Sequence, residues 1–168
     1  MKIVIVDDDI FVSGALTTIL EASGKVTVAA SGTDGKEAAE LYKIHQPDVL
    51  LMDIRMKEKS GLDASAEILE EFPDAKILLL TTFSDDEYIV KALKLGAKGY
   101  LLKQDYASIL PALEAVCSGQ TVFGTEIMSR IPVLPSIMKI MISAAGNLKL
   151  SVLLQTGSAI RKSPHSFF

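Results

Sequence analysis

The chain has 168 residues, 49% of them hydrophobic, enough for one globular domain with a sizeable core and a short appendage, and too little for two full domains. All 21 acidic residues precede position 127, whereas Lys139, Lys149, Arg161 and Lys162 follow it, so an acidic body runs into a purely basic end. The net charge of −4 argues against a protein dominated by polyanion contacts. Cys117 is the single cysteine, which excludes an internal disulfide and fits a reducing compartment. No signal peptide is legible at the start, and the apolar stretch "IPVLPSIMKIMISAA" is too short and too broken by proline and lysine to span a bilayer, so the expectation is a cytoplasmic protein with no membrane contact.

The first element is the run Ile3 to Ile10, "IVIVDDDI". It reads as a buried strand that ends in Asp7, Asp8 and Asp9, an arrangement that repels itself unless it is solvated or offset by a cation. Four more short runs rich in Val, Ile and Leu follow: "KVTVAA" from Lys25, "DVLLMD" at Asp48 to Asp53, "KILLLTT" at Lys76 to Thr82, and "KGYLLK" at Lys98 to Lys103. Segments of helical length separate them. One covers about Phe11 to Ser23 and stops at Gly24; the next, about Gly35 to His45, has Asp34 as its N-cap and ends before Pro47. A third spans about Leu62 to Phe72, a fourth opens with a Ser84/Glu87 capping box and closes at Gly96, and a fifth runs from about Ser108 to Ser118 with Pro111 in its first turn. Strands alternating with helices predict a doubly wound α/β sheet, whose ligands sit beyond the carboxyl ends of the strands.

Those ends carry Asp7, Asp8 and Asp9, then Asp53, Thr81 with Thr82, and Lys103. Taken singly each has a plain reading: Asp9 as a helix cap, Asp53 as a turn residue, Lys103 as a solvated lysine, Tyr100 as a strand aromatic. Together they place several carboxylates, a hydroxyl and an ammonium on one edge. A few hard oxygen ligands with room left for water and a phosphate match Mg²⁺. A carboxylate beside that ion can attack phosphorus, with Lys103 and a threonine hydroxyl taking the phosphoryl oxygens. No P-loop, no Cys/His metal spacing and no nucleophile elbow offers other chemistry.

The segments "IVIVDDDIFVSGAL", "PDVLLMDIRM", "GLDA", "ILLLTTFSDDEYIVKALKLGAKGYLLK" and "VCSGQTVF" resemble the receiver domain of a bacterial two-component response regulator, more narrowly the NarL/FixJ (LuxR-type) class. The resemblance implies a flavodoxin-like, five-stranded parallel sheet of order 2-1-3-4-5, with helices on both faces and a C-terminal tail. It makes Asp53 the phosphoacceptor, Asp8 a direct Mg²⁺ ligand, Asp7 a ligand through water, and the Arg55 backbone carbonyl the protein's last share of the metal. Thr81 becomes the hydroxyl that contacts the phosphoryl group, Lys103 its cationic partner, and Tyr100 the aromatic that swings inward when Thr81 moves; Asp9 stays outside the site. A sensor histidine kinase is the implied phosphoryl donor, and the implied outcome is a population shift that makes or releases a homodimer or output-domain contact. The chain would then be no enzyme beyond slow loss of its own phosphoryl group. Lys57 departs from the proline common at its position, which loosens the loop after Asp53. Bulky Arg55 and Phe83, two residues beyond Asp53 and Thr81, imply slow attack by water.

Residues 1–119 are thus expected to form the receiver, 120–130 to resemble a linker, and 131–168 to be an atypical tail without helix-turn-helix spacing. That tail suggests a truncated or altered reading frame, so DNA is expected as a partner of full-length relatives and not of this chain. Two other readings compete: a stand-alone receiver that shuttles phosphate or acts as an interaction module, and a phosphatase with Asp7 as nucleophile and Asp9 as its acid.

Overall fold

The computed structural model describes residues 1–82 and 85–130; Phe83, Ser84 and residues 131–168 lie outside them. In chain order it runs β1 (Lys2–Val6), α1 (Ile10–Ala22), β2 (Thr27–Gly32), α2 (Gly35–His45), β3 (Val49–Asp53) and α3 (Gly61–Glu71). There follow β4 (Ile77–Thr81), α4 (Asp86–Leu95), β5 (Gly99–Leu102), α5 (Tyr106–Cys117), β6 (Val122–Phe123) and α6 (Thr125–Arg130). The strands form one parallel sheet in the order β2-β1-β3-β4-β5-β6. Five of them stand in the expected order. The sixth extends the sheet beyond the expected five: only Val122 and Phe123 pair with β5, too short a run to show periodicity in the sequence.

Alternation along the strands divides the interior into two cores. Ile3, Ile5, Val49, Leu51, Leu78, Leu80 and Leu101 face α1 and α5, where Leu16, Leu20, Ile109 and Leu113 meet them. Val4, Val6, Leu50, Met52, Leu79 and Tyr100 face α2, α3 and α4, packing on Tyr42, Ile68 and Ile89. β3 and β4 are buried along their whole length, as a sheet covered on both faces requires. Among the described residues no helix is long and apolar enough to cross a membrane.

Helix boundaries follow local chemistry. Asp9 caps α1 by accepting from the Phe11 and Val12 amides, Asp34 caps α2, and Ser60 caps α3. Gly96 ends α4 in the left-handed region, at a φ of 84°. Three details correct the sequence reading. β2 begins at Thr27, two residues later than expected, where its amide meets the Met1 carbonyl. The N-cap of α4 is Asp85, one residue later than expected, and its carboxylate accepts the Glu87 N–H; Ser84 itself lies outside the described residues. α5 starts at Tyr106, because a turn at Asp105 hands its carbonyl to the Ser108 amide; Pro111 therefore lies inside the helix, and the missing bond falls on the exposed Ala107 carbonyl.

At the start of α3 the backbone comes close to the end of β3. The Gly61 N–H donates to the Ile54 carbonyl at 2.9 Å, and a Cβ on Gly61 would stand 2.0 Å from the Asp53 carbonyl oxygen. Helix propensity favours alanine over glycine by about 1 kcal/mol, so sterics and propensity oppose each other here. Sterics win, because the obstructing atom is backbone. Gly61→Ala is expected to lower stability by about 2 kcal/mol, the order of an overpacked site, as read from urea unfolding of the two proteins.

Candidate functional site

At the carboxyl edge of the sheet the adjacent strands β1 and β3 stop side by side, β1 just before Asp7 and β3 on Asp53. Asp7 follows β1 at 1% exposure and Asp53 closes β3 at 4%. Both carboxylates are held by backbone amides: Asp7 Oδ1 accepts the Asp9 N–H at 2.9 Å, and the Arg55 N–H donates to Asp53. Lys103, directly after β5, brings Nζ to 2.7 Å from Asp7 Oδ2 and 3.2 Å from Asp53 Oδ2. Its own amide donates to the Thr81 carbonyl at 2.7 Å, so the lysine and the threonine are fixed relative to each other through the main chain.

Asp8 completes an acidic group: one oxygen from each of Asp7, Asp8 and Asp53 lies within 4.8 Å of the others. Ionised, the three carry one negative charge each against the single charge of Lys103, which leaves a deficit that one divalent cation would cancel. Asp7 Oδ2 is buried and receives no well-formed hydrogen bond, only the close approach of the ammonium. An all-oxygen donor set with an incompletely satisfied buried carboxylate fits Mg²⁺.

Thr81 ends β4 fully buried, and Tyr100 is wholly buried in β5, its ring inside the core shared with Ile89 and Ile127. Burial pushes the Tyr100 phenol far above its ordinary value, and a contact between its hydroxyl and the Thr81 side chain opposes that. Burial also pushes the Asp53 carboxyl above the usual range; the Lys103 charge opposes this and the Asp7 charge adds to it. For Lys103, burial pulls the ammonium down, but Asp7 and Asp53 outweigh it and hold it above the ordinary lysine value.

The structure thus brings together Asp7, Asp8, Asp53, Thr81, Lys103 and the Arg55 backbone on one edge, with Tyr100 paired to Leu79, two residues before Thr81, and its hydroxyl near the Thr81 side chain. The exposed Asp9 turns its carboxylate to the α1 amides. Phe83 lies outside the described residues. One participant was not legible as such: Asp34, expected only as a cap, also accepts from Glu58 and Lys59 in the loop that follows Asp53.

Residues 3–114 match the response regulator receiver domain family. The chain belongs to that family. It is 44% identical to the oxygen regulatory protein NreC of Staphylococcus epidermidis over 123 residues, 72% of this chain and 56% of that protein. It is 38% identical to the transcriptional regulatory protein DegU of Brevibacillus brevis over 120 residues, 71% of this chain and 51% of that one. Among solved structures it resembles the signal receiver domain of the Mycobacterium tuberculosis response regulator NarL, with a TM-score of 0.67, 30% identity, and coverage of 71% of this chain and 97% of that one. This receiver is therefore of the NarL/LuxR type, and the chain spans about half the length of the curated relatives it matches.

The charge imbalance has a measurable signature in EDTA. Because the folded-state pKa of Asp53 lies above its unfolded value, its burial penalty is absent in acid, where both states are protonated, and complete above the folded pKa. Asp53→Asn is expected to raise the melting temperature at neutral pH by roughly 2–5 °C, with Asp7 still holding Lys103. That gain should shrink toward zero as the pH falls to about 4. Lys103→Ala should do the opposite, destabilising by about 3 kcal/mol at neutral pH because two buried carboxylates lose their counter-charge. Melting scans of the three proteins across pH decide both points.

Proposed function

We propose that this receiver takes a phosphoryl group onto Asp53 from a phosphohistidine of a sensor histidine kinase, and that the modified form shifts the protein toward a signalling conformation. The observation that supports it most directly is the convergence of Asp7, Asp8 and Asp53 around the Lys103 ammonium at the carboxyl edge. Asp7, Asp8, Asp53 and the Arg55 carbonyl would hold Mg²⁺, which when bound neutralises charge on the transferring phosphoryl oxygens. An oxygen of the Asp53 carboxylate forms the new bond to phosphorus while the bond to the kinase imidazole nitrogen breaks, the electron pair leaving with that nitrogen. Lys103 swings its charge from Asp53 to a phosphoryl oxygen and remains beside Asp7. The Thr81 hydroxyl, buried at the end of β4, donates to another oxygen.

Such an acyl phosphate puts charge where Thr81 and Tyr100 adjoin, and the aromatic's inward packing is the element that the modification would stabilise. The name of DegU, a transcriptional regulatory protein, supports a transcriptional output for the full-length protein, with residues 120–130 leading from the receiver toward it; DNA contact is assigned to that output and not to this receiver. The competing phosphatase reading needs Asp9 as an acid over Asp7, and Asp9 is taken up in capping α1. The proposed setting is the cytoplasm.

Incubation of the chain with acetyl phosphate and Mg²⁺ is expected to add one phosphoryl group by intact-mass spectrometry. Asp53→Ala should take up none, and EDTA should abolish uptake by the wild type. A wild type that gains no mass under these conditions would sink the assignment; steady release of phosphate from a generic ester by the Asp53→Ala variant would favour the phosphatase.

A further inference from the structure

We propose that Asp34 is a positioning residue for phosphoryl transfer, acting through the loop between β3 and α3; this rests on the receiver reading above. That loop starts beside the phosphoacceptor, since the Arg55 N–H donates to the Asp53 carboxylate. Its root is fixed by the sheet: the Ile54 N–H donates to the Leu80 carbonyl at 3.0 Å, and Gly61 returns a bond to Ile54. Nothing in the sheet holds its far side. There, 24 and 25 residues away in sequence, Asp34 supplies the acceptor: Oδ2 takes the Glu58 N–H at 2.9 Å and Oδ1 the Lys59 N–H at 3.2 Å, while Oδ1 also caps α2 through the Lys36 N–H at 3.0 Å.

The contact is reciprocal. The Gly35 N–H donates to the Lys59 carbonyl at 3.2 Å, and a Cβ on Gly35 would stand 2.4 Å from that oxygen, so glycine is what allows the two backbones to meet. An ion pair from Lys36 to Glu58 lies over the same contact, and Lys59 pairs with Glu67 of α3. Slight burial raises the Asp34 carboxyl, but the three amide donors outweigh it and keep the group below the usual carboxylate range, hence charged. With both ends held, only Arg55, Met56 and Lys57 span the interval, and these include the carbonyl proposed as a metal ligand. None of these three is a proline that would stiffen the chain, and the Asp34 carboxylate braces it from outside the loop.

Three variants of the full chain separate positioning from folding. A serine at 34 still caps α2 but is too short to reach Glu58 and Lys59. Asp34→Asn exchanges one acceptor oxygen for a donor, and Gly35→Ala pushes the loop away while favouring the helix. Asp34→Ser and Gly35→Ala are each expected to weaken Mg²⁺ binding, measured by calorimetry, by roughly tenfold, the scale on which supports of metal ligands act. Phosphorylation by acetyl phosphate at subsaturating Mg²⁺ should slow in proportion, with Asp34→Asn intermediate. In EDTA, Asp34→Ser and Asp34→Asn should melt within roughly a few degrees of the wild type, while Gly35→Ala should melt lower, as expected of Gly61→Ala. Wild-type Mg²⁺ affinity and rate in Asp34→Ser would overturn the inference and leave the receiver reading standing. Should Asp34→Ser unfold, unchanged Mg²⁺ affinity in both Asp34→Asn and Gly35→Ala would overturn it equally. A wild type that neither binds Mg²⁺ nor gains a phosphoryl group would overturn both.

Discussion

Between Asp7 and Asp53 stands the Lys103 ammonium, and the fold has to keep it there while shielding the two carboxylates from bulk water. A buried aspartate is tolerated when a counter-charge and amide donors share its field. Here the counter-charge arrives from β5 and the amides from Asp9 and Arg55, each just past the end of its own strand. Parallel strands make this possible, because every carboxyl end falls on the same edge and every following turn points its amides the same way. The balance is nonetheless incomplete. Burial disfavours the ionised form of Asp53, so the fold gives up stability at the residue that the proposed chemistry needs ionised, in the manner of a site whose stability and function compete.

Close backbone approach is the second constraint, and it is met with glycine at two places that face the same loop. Gly61 lets α3 start against the Asp53 carbonyl, and Gly35 lets α2 start against the Lys59 carbonyl. Both occupy the first turn of a helix, where glycine lowers helix stability relative to alanine. The loop after Asp53 is therefore clasped between two helix N-termini, and the entropy lost in ordering it is offset by bonds that come from elements already fixed by the two cores.

Much of this arrangement was legible along the chain. Short Val/Ile/Leu runs separated by helical lengths lead to a parallel sheet, and the residues that end those runs are the ones the sheet gathers at its edge. Capping by Asp9 and Asp34 was legible too, since a cap is decided within three residues. The misses have a common cause in range and length. Val122 and Phe123 become a strand only because the β5 edge offers them partners. Asp105 starts α5 through a backbone turn that carries no side-chain signature. The second role of Asp34 depends on where a loop more than twenty residues away comes to lie, and no local pattern records that.

The same packing logic ties the site to the segment that leaves the receiver. Tyr100 pairs with Phe123 across β5 and β6, and its carbonyl accepts the Gly124 N–H at 3.0 Å. Ile127 of α6 is fully buried in the core that holds Tyr100 and Ile89, and Arg130 reaches back to Asp86 of α4 at 3.0 Å. Interiors at crystalline density do not absorb the displacement of an aromatic ring by compression. A repacking of Tyr100 has to be taken up by its neighbours, and the neighbours on one side are α4 and on the other β6 with α6. Residues 122–130 are thus mechanically part of the sheet that carries Asp53, which is the physical requirement for any signal at the acidic edge to reach whatever follows Arg130.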